Sequence, residues 1–168
     1  MQTIRKSQWM RVISVTLIIL GAIFVGGLTA AVIVFRTGLL PMNADRTPPV
    51  IEAKMATMAL QASIAYHAKR EVDPRPSIAR NPAGGQEIYR DMCARCHGSA
   101  ERGPTALGSS FYPPAPNLPR QRTQYNEAEL FWTIKHGIRN TGMPGWGKLL
   151  SDDDIWQVVL LIKAFDVK

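Results

Sequence analysis

The chain opens with a long apolar stretch and then changes to segments in which apolar residues recur at helical intervals. Residues 12–35 carry no charged side chain over 24 positions. At 1.5 Å of rise per residue such a helix is roughly 36 Å long, which is enough to cross a bilayer. The pattern therefore predicts a transmembrane helix near the N-terminus, followed by a more polar remainder.

A cleaved signal peptide is the competing interpretation of this stretch. Its apolar core would span only about 7–15 residues and would end at a site of small residues. Residues 12–35 are longer and run into Phe35-Arg36-Thr37 without such a site. Arg5, Lys6 and Arg11 precede the stretch and predict a cytoplasmic N-terminus. We therefore expect a single-pass protein of the bacterial inner membrane whose C-terminal part lies in the periplasm.

A second helix is predicted over residues 51–70, because apolar residues recur along one side of this segment. Lys69 and Arg70 suit the C-terminal end of a helix, and Asp73-Pro74-Arg75-Pro76 ends it. The apolar side needs a surface to pack on, which is the chain's own C-terminal domain, the membrane surface or a partner subunit. We favour the partner subunit. His67 on this helix is expected to face solvent.

Three further helices are predicted after residue 80. Asn81-Pro82 is a good start for the first, with an N-cap and a proline at the first helical position. Asn126 and Glu129 have capping-box spacing for the second, and Gly137 ends it. Ser151, followed by three aspartates, opens the last helix. Its predicted buried residues are Ile155, Val158, Val159, Leu161, Ile162 and Phe165.

Cys93-Ala94-Arg95-Cys96-His97 is the clearest chemical signal in the chain. A C-x-x-C-H pattern is typical of c-type haem attachment. Two thiols at this spacing reach the two vinyl groups of one porphyrin edge, and the next imidazole reaches the iron. The chain has only these two cysteines. A zinc site would require four ligands, and a thioredoxin-like dithiol would require a βαβ setting, so both alternatives are disfavoured.

The net charge of +7 does not indicate nucleic-acid binding. Four of the basic residues flank the apolar stretch. From Arg75 onward the chain has 12 basic and 9 acidic side chains. Because the basic residues form no cluster interleaved with aromatic residues, no nucleic-acid partner is expected.

The stretch from Gly85 to Lys168 resembles a class I cytochrome c domain, and the chain resembles the membrane-anchored monohaem members of that family. The shared features are Gly85-x-x-x-Tyr89-x-x-x-Cys93, the Cys93–His97 motif, Pro116-Asn117-Leu118, the helix containing Trp132, Gly142-Met143-Pro144 and a closing amphipathic helix. The resemblance implies one covalently bound haem c and an all-α fold whose first and last helices cross near Gly85 and Tyr89.

The predicted fold class is therefore all-α, with an N-terminal transmembrane helix followed by an extracytoplasmic class I cytochrome c domain. Residues 1–36 are assigned to the cytoplasmic N-terminus and the anchor. Residues 37–80 are assigned to a juxtamembrane linker that contains the amphipathic helix. Residues 81–168 are assigned to the haem domain.

Residues 98–124 form a loop that is long for a compact domain, which usually indicates a functional role. The resemblance implies that this loop wraps one edge of the haem. It places three side chains against the porphyrin: Tyr112, Pro116 and Leu118. A proline carbonyl of the loop is expected to accept the free N–H of His97, the proximal iron ligand. The candidates for this carbonyl are Pro104, Pro114 and Pro116.

Met143 is predicted to be the second axial ligand of the iron. A methionine is more often a core filler, but Met143 alone lies downstream of His97 in a stiff Gly/Pro turn, at a spacing similar to that in the family. Trp146 is expected to cover the haem edge. Trp132 either hydrogen-bonds a propionate, as the matching aromatic does in relatives, or packs in the core. His136 is expected to be a surface or capping residue.

An iron with His and Met ligands has both axial positions filled, so it exchanges electrons and does not bind O₂. We therefore expect no catalytic residues and no enzyme activity of the chain by itself. The expected function is that of a membrane-anchored electron carrier, or of a haem subunit in a respiratory or photosynthetic redox complex. The expected partners are the lipid bilayer and a quinol-oxidising complex, terminal oxidase or reaction centre.

The alternative function is a subunit through which electrons enter or leave a periplasmic oxidoreductase or dehydrogenase. A haem enzyme or gas sensor would need an open iron site, and nothing in the sequence indicates one.

Overall fold

The computed structural model describes residues 2–40, 43, 46–70 and 82–165. Within these ranges the chain is helical, and its one β-type pairing is an isolated bridge between Ser99 and Gly103. This confirms the all-α prediction. The chain forms two compact units, residues 1–43 and 44–168. The α-helices are α1 (Gln2–Arg36), α2 (Val50–Ala68), α3 (Pro82–Ile88), α4 (Ala94–His97), α5 (Ala106–Ser109), α6 (Glu127–His136) and α7 (Asp152–Phe165).

Helix α1 contains a segment, Gln8–Arg36, that is long and apolar enough to cross a membrane. Its large side chains are exposed along the helix, with Leu17 at 63% and Phe24 at 72%. The Thr29 hydroxyl donates to the Val25 carbonyl at 2.8 Å, so this polar group is satisfied within the helix. The predicted apolar N-terminal helix is therefore confirmed in length and composition.

The second unit is organised around the crossing of α3 and α7. Gly85 is buried there, and a Cβ at this position would overlap the backbone carbonyl of Gln157, whose carbon lies 2.7 Å from it. Only glycine permits this close approach. One turn later, the Tyr89 ring meets Phe165 edge-on, with 5.5 Å between ring centroids. The crossing therefore has the position that the resemblance implied, whereas the predicted cap Asn81 lies outside the described residues.

Helix α7 supplies much of the core. Its buried residues are Ile155, Trp156, Val158, Val159, Leu161 and Ile162. The sequence pattern identified all of these except Trp156, whose ring stacks on Phe131 of α6 with 4.6 Å between centroids. At the start of α7 the Asp154 backbone N–H donates to the Ser151 hydroxyl at 3.2 Å, as predicted. Burying an aromatic or large aliphatic side chain contributes about 1.5–3 kcal/mol, so this contact holds α6 firmly on α7.

Helix α6 begins with the predicted capping box. The Glu129 backbone N–H donates to the Asn126 side chain at 3.0 Å, and the Asn126 backbone N–H donates to the Glu129 carboxylate at 2.9 Å. Gly137 follows the helix with φ at +70°, a backbone conformation that favours glycine. These local signals fix where α6 starts and ends.

Helix α2 packs against α6. Ile64 and Ala68 are 1% and 4% exposed. The His67 ring, on the same helix, stacks nearly parallel on Trp132 at 5.6 Å between centroids. The packed side of α2 therefore uses the chain's own C-terminal domain, and not the partner subunit that the sequence pattern led us to favour.

Candidate haem-binding site

A cleft in the second unit brings together the residues that carry the chemistry predicted from sequence. It encloses about 780 Å³ of empty space, counting the part that is open to solvent. Cofactor sites are typically concave and mostly apolar. Cys93, Cys96, His97 and Met143 all line this cleft.

The two cysteines come from a helical segment that changes its winding at the site. Helix α3 continues as a π-helical turn, Tyr89–Cys93, and α4 follows as a single α-turn. Such π-turns occur frequently at functional sites. Both thiols are free. Burial, with a smaller contribution from Cys96, raises the pKa of the Cys93 thiol to about 11. The raised pKa keeps the Cys93 thiol protonated at neutral pH, whereas a reactive cysteine has a lowered pKa.

His97 is oriented by the loop that follows it. Its Nδ1 lies 2.9 Å from the carbonyl oxygen of Pro116. With Nδ1–H donating to that carbonyl, the lone pair of Nε2 is left for a metal ion. Burial lowers the pKa of His97, which favours the neutral imidazole that a metal ligand needs, and the hydrogen bond to Pro116 opposes this shift. Of the three candidate prolines, Pro116 makes the contact.

The backbone of the attachment motif is tied to the loop behind it. Gly98 has φ at +73°, and a Cβ there would meet Gly103 and the side-chain amide of Asn117. The Thr105 hydroxyl donates to the Arg95 carbonyl at 2.9 Å. The Tyr89 hydroxyl donates to the Gly98 carbonyl at 3.1 Å, and burial raises the pKa of Tyr89, so it stays protonated. Thr105 carries no signal in the sequence, because its role depends on where the loop folds back.

Met143 is held in the cleft by a network of hydrogen bonds within its own turn. The Ile138 N–H donates to the Met143 carbonyl at 3.1 Å. The Thr141 hydroxyl donates to the Ile138 carbonyl at 2.8 Å and accepts the Met143 N–H at 3.2 Å. Gly142 packs against the Phe111 ring, which leaves no room for a side chain at this position. The Met143 side chain is half-buried on a turn with restricted freedom.

The other predicted site residues divide into two groups. Pro116, Leu118 and Trp146 line the cleft together with the cysteines, His97 and Met143. Tyr112 and Trp132 are not among the lining residues: Tyr112 is 38% exposed, and Trp132 stacks on His67 and contacts His136 at a tilt. Their contacts with a haem remain predictions.

Several lining residues were missed by sequence reasoning. They are Met92, Phe111, Ile134, Ile138, Val158 and Ile162. Val158 and Ile162 were predicted to be buried, but the helical pattern does not distinguish packing on a cofactor from packing on protein. Phe111 and Ile138 lie in loops, where no periodicity applies.

The donor set and the lining fit a haem. The lining is apolar, which suits a large flat macrocycle, and the imidazole and thioether are the axial ligand types found in electron-transferring cytochromes c. Within the ranges that the structure describes, no group of three or more His, Cys, Asp or Glu residues is placed to hold a metal ion.

The fold and the cleft have the features expected of a c-type cytochrome domain. Residues 80–162 match a protein-family model described as cytochrome c oxidase, cbb3-type, subunit III. The chain is also similar to the Cbb3-type cytochrome c oxidase subunit FixP of Rhizobium meliloti (strain 1021), at 31% identity over 85 residues. That alignment covers 48% of this chain and 26% of FixP, so the chain spans about a quarter of the length of this relative.

These matches support the resemblance derived from the motifs, which is to a membrane-anchored monohaem c-type cytochrome family. The family implies haem c as the cofactor and electron transfer as the chemistry.

Proposed function

We propose that this chain binds one haem c through Cys93 and Cys96, with His97 and Met143 as axial ligands. We further propose that it transfers electrons as a non-catalytic subunit of a terminal oxidase complex. The observation that carries the proposal is the convergence of these four side chains on one apolar cleft. The bound haem supplies a one-electron redox centre. The chain's own residues bind it, orient it and keep water away from it.

The lining of the cleft bears on the reduction potential. A thioether ligand is neutral, and the apolar side chains around the cleft provide little stabilisation for an added positive charge. Both features favour the reduced iron and therefore a potential on the high side of the haem range. This is appropriate for a carrier that acts late in an electron-transfer chain, and the similarity to a cbb3-type oxidase subunit supports a terminal oxidase as the acceptor.

The proposed topology is a single span formed by α1, with the cytochrome domain in the periplasm. Arg5, Lys6 and Arg11 precede the apolar segment and support a cytoplasmic N-terminus. The periplasm is oxidising and is the compartment expected for c-type haem attachment.

Changing Cys93 or Cys96 to alanine is expected to weaken covalent haem retention, and changing both is expected to abolish it, because each thiol makes one of the two thioether bonds. Haem staining after denaturing electrophoresis measures retention, and the pyridine haemochrome spectrum counts the remaining thioethers. Met92→Ala is the matched control, since Met92 lines the same cleft and we expect it to form no bond to the haem. Full retention in both single variants and in the double variant would contradict the attachment proposal.

Gentle detergent extraction of native membranes, followed by affinity capture of this chain, tests the assignment to an oxidase. We expect integral-membrane oxidase subunits to copurify in stoichiometric amounts and the haem of the captured complex to be reoxidised by O₂. Capture of the chain alone, with a normal His/Met haem spectrum, would replace the fixed subunit by a tethered carrier. Copurification with a dehydrogenase would instead favour the alternative function.

A further inference from the structure

Helix α2 has a second apolar face, which stays exposed when the first is packed against α6. The residues of this outer face are Ile51, Met55, Met58, Ala62 and Tyr66. Their spacing puts them on one side of an α-helix. The four large side chains are between 56% and 69% exposed, whereas Ile64, on the side that packs against α6, is 1% exposed. A single helix thus presents one apolar side to its own domain and another to its surroundings.

The outer face carries no charge, and the charged residues of the segment border it. Lys54, Lys69 and Arg70 are basic, and Glu52 is the one acidic residue between positions 50 and 70. Arg70 lies over the Tyr66 ring and donates to its hydroxyl at 2.6 Å. An apolar face with basic margins and an aromatic residue near one end matches the surface of a bilayer that contains anionic lipid.

The linker before α2 limits how far this helix can lie from the membrane. Thirteen residues separate the end of α1 from the start of α2. Even fully extended they would span only about 45 Å. If α1 spans the bilayer, the short linker keeps α2 near the membrane surface in every molecule, which gives the surface a high effective concentration around α2. Contact with a separate protein would instead depend on how abundant that protein is.

We propose that the outer face of α2 lies on the membrane surface, with its apolar side chains at the boundary between headgroups and acyl chains of an anionic bilayer. The inference rests on α1 spanning that bilayer. Because α2 packs on α6, binding of α2 to lipid restricts the orientation of the cytochrome domain. The segment then acts as a rigid support and not as a flexible tether.

Site-directed spin labelling of the full-length, haem-loaded protein tests this arrangement. The protein is reconstituted into vesicles of phosphatidylethanolamine and phosphatidylglycerol, with a nitroxide on Met58→Cys. The matched control is Ala56→Cys, an exposed position of the same helix outside the outer face. Relative to the control, the label at position 58 is expected to collide severalfold more often with O₂ dissolved in lipid and severalfold less often with a water-soluble nickel chelate.

Introducing acidic side chains into the outer face should release it from the lipid. With Met55→Glu and Met58→Glu combined, a label on Ala62→Cys is expected to become accessible to the nickel chelate, while the haem spectrum and the helix content stay unchanged. Replacing phosphatidylglycerol by a neutral lipid is expected to weaken the lipid contact.

Three outcomes would overturn the proposal. The first is equal access of the nickel chelate to positions 56 and 58 in vesicles. The second is access of the nickel chelate to position 58 in vesicles, combined with protection of that position in the complex extracted from native membranes. This outcome would indicate a protein partner. The third is spin–spin broadening between labels at position 58, which would indicate a second copy of this chain.

Discussion

Met143→Ala is expected to abolish the weak near-infrared sulfur-to-iron absorption of the oxidised protein and to lower its reduction potential. The absorption requires the thioether at the iron. Axial ligands and their surroundings vary haem potentials over about 0.8 V, so we expect a decrease on the order of 0.1–0.3 V. Near-infrared spectroscopy and a redox titration of the full-length protein measure the two effects. Loss of the ligand should also let the reduced protein bind CO.

Met92→Ala is the matched control for this experiment. Met92 also lines the cleft, but it adjoins Cys93 in the π-helical turn and is 36% exposed. Because Met92 adjoins Cys93, we expect its side chain to lie on the side where the haem is attached and not to bind the iron. Both the near-infrared absorption and the reduction potential should therefore be nearly unchanged in Met92→Ala. An unaltered spectrum and potential in Met143→Ala would contradict the ligand assignment, and loss of the absorption in Met92→Ala instead would move the assignment to Met92.

The spacing of Cys93, Cys96 and His97 is the strongest site signal in the sequence, because it reflects the geometry of the porphyrin. The sequence left the partner of His97 open among three prolines. That choice depends on the path of the loop, which long-range contacts determine. Arg120 donates to the Ala100 carbonyl at 2.8 Å, and the Ala115 N–H donates to the Gly108 carbonyl at 2.9 Å. Neither contact has a periodic or local signature.

Trp132 shows a second limit of sequence reasoning. Helix α6 has apolar residues on two sides, so the pattern did not decide whether Phe131 or Trp132 faces the core. Phe131 is 2% exposed and stacks on Trp156, whereas Trp132 faces α2. The same ambiguity applies to α2, which is apolar on two sides. When both sides of a helix are apolar, only its neighbours determine which side is buried.

Gly85→Ala is expected to lower the free energy of unfolding of the haem-loaded protein by about 2–3 kcal/mol, near the upper part of the range for overpacked cores. The new Cβ would overlap the Gln157 carbonyl, which belongs to the backbone of α7 and cannot rotate away. Helices α3 and α7 would have to separate. Guanidinium unfolding of the full-length protein in detergent, followed by far-ultraviolet circular dichroism, measures the loss.

The neighbouring glycine provides the control. The atoms nearest to a Cβ at Gly84 belong to the side chain of Gln157, which can swing aside. Gly84→Ala should therefore be neutral, or stabilising by up to about 1 kcal/mol through its helix propensity. Equal losses in the two variants would show that general crowding is responsible, and not the crossing. No loss in Gly85→Ala would contradict the close approach itself. Because Tyr89 and Cys93 follow Gly85 at successive turns of the same helical segment, a displaced crossing should also reduce the fraction of chains that carry haem.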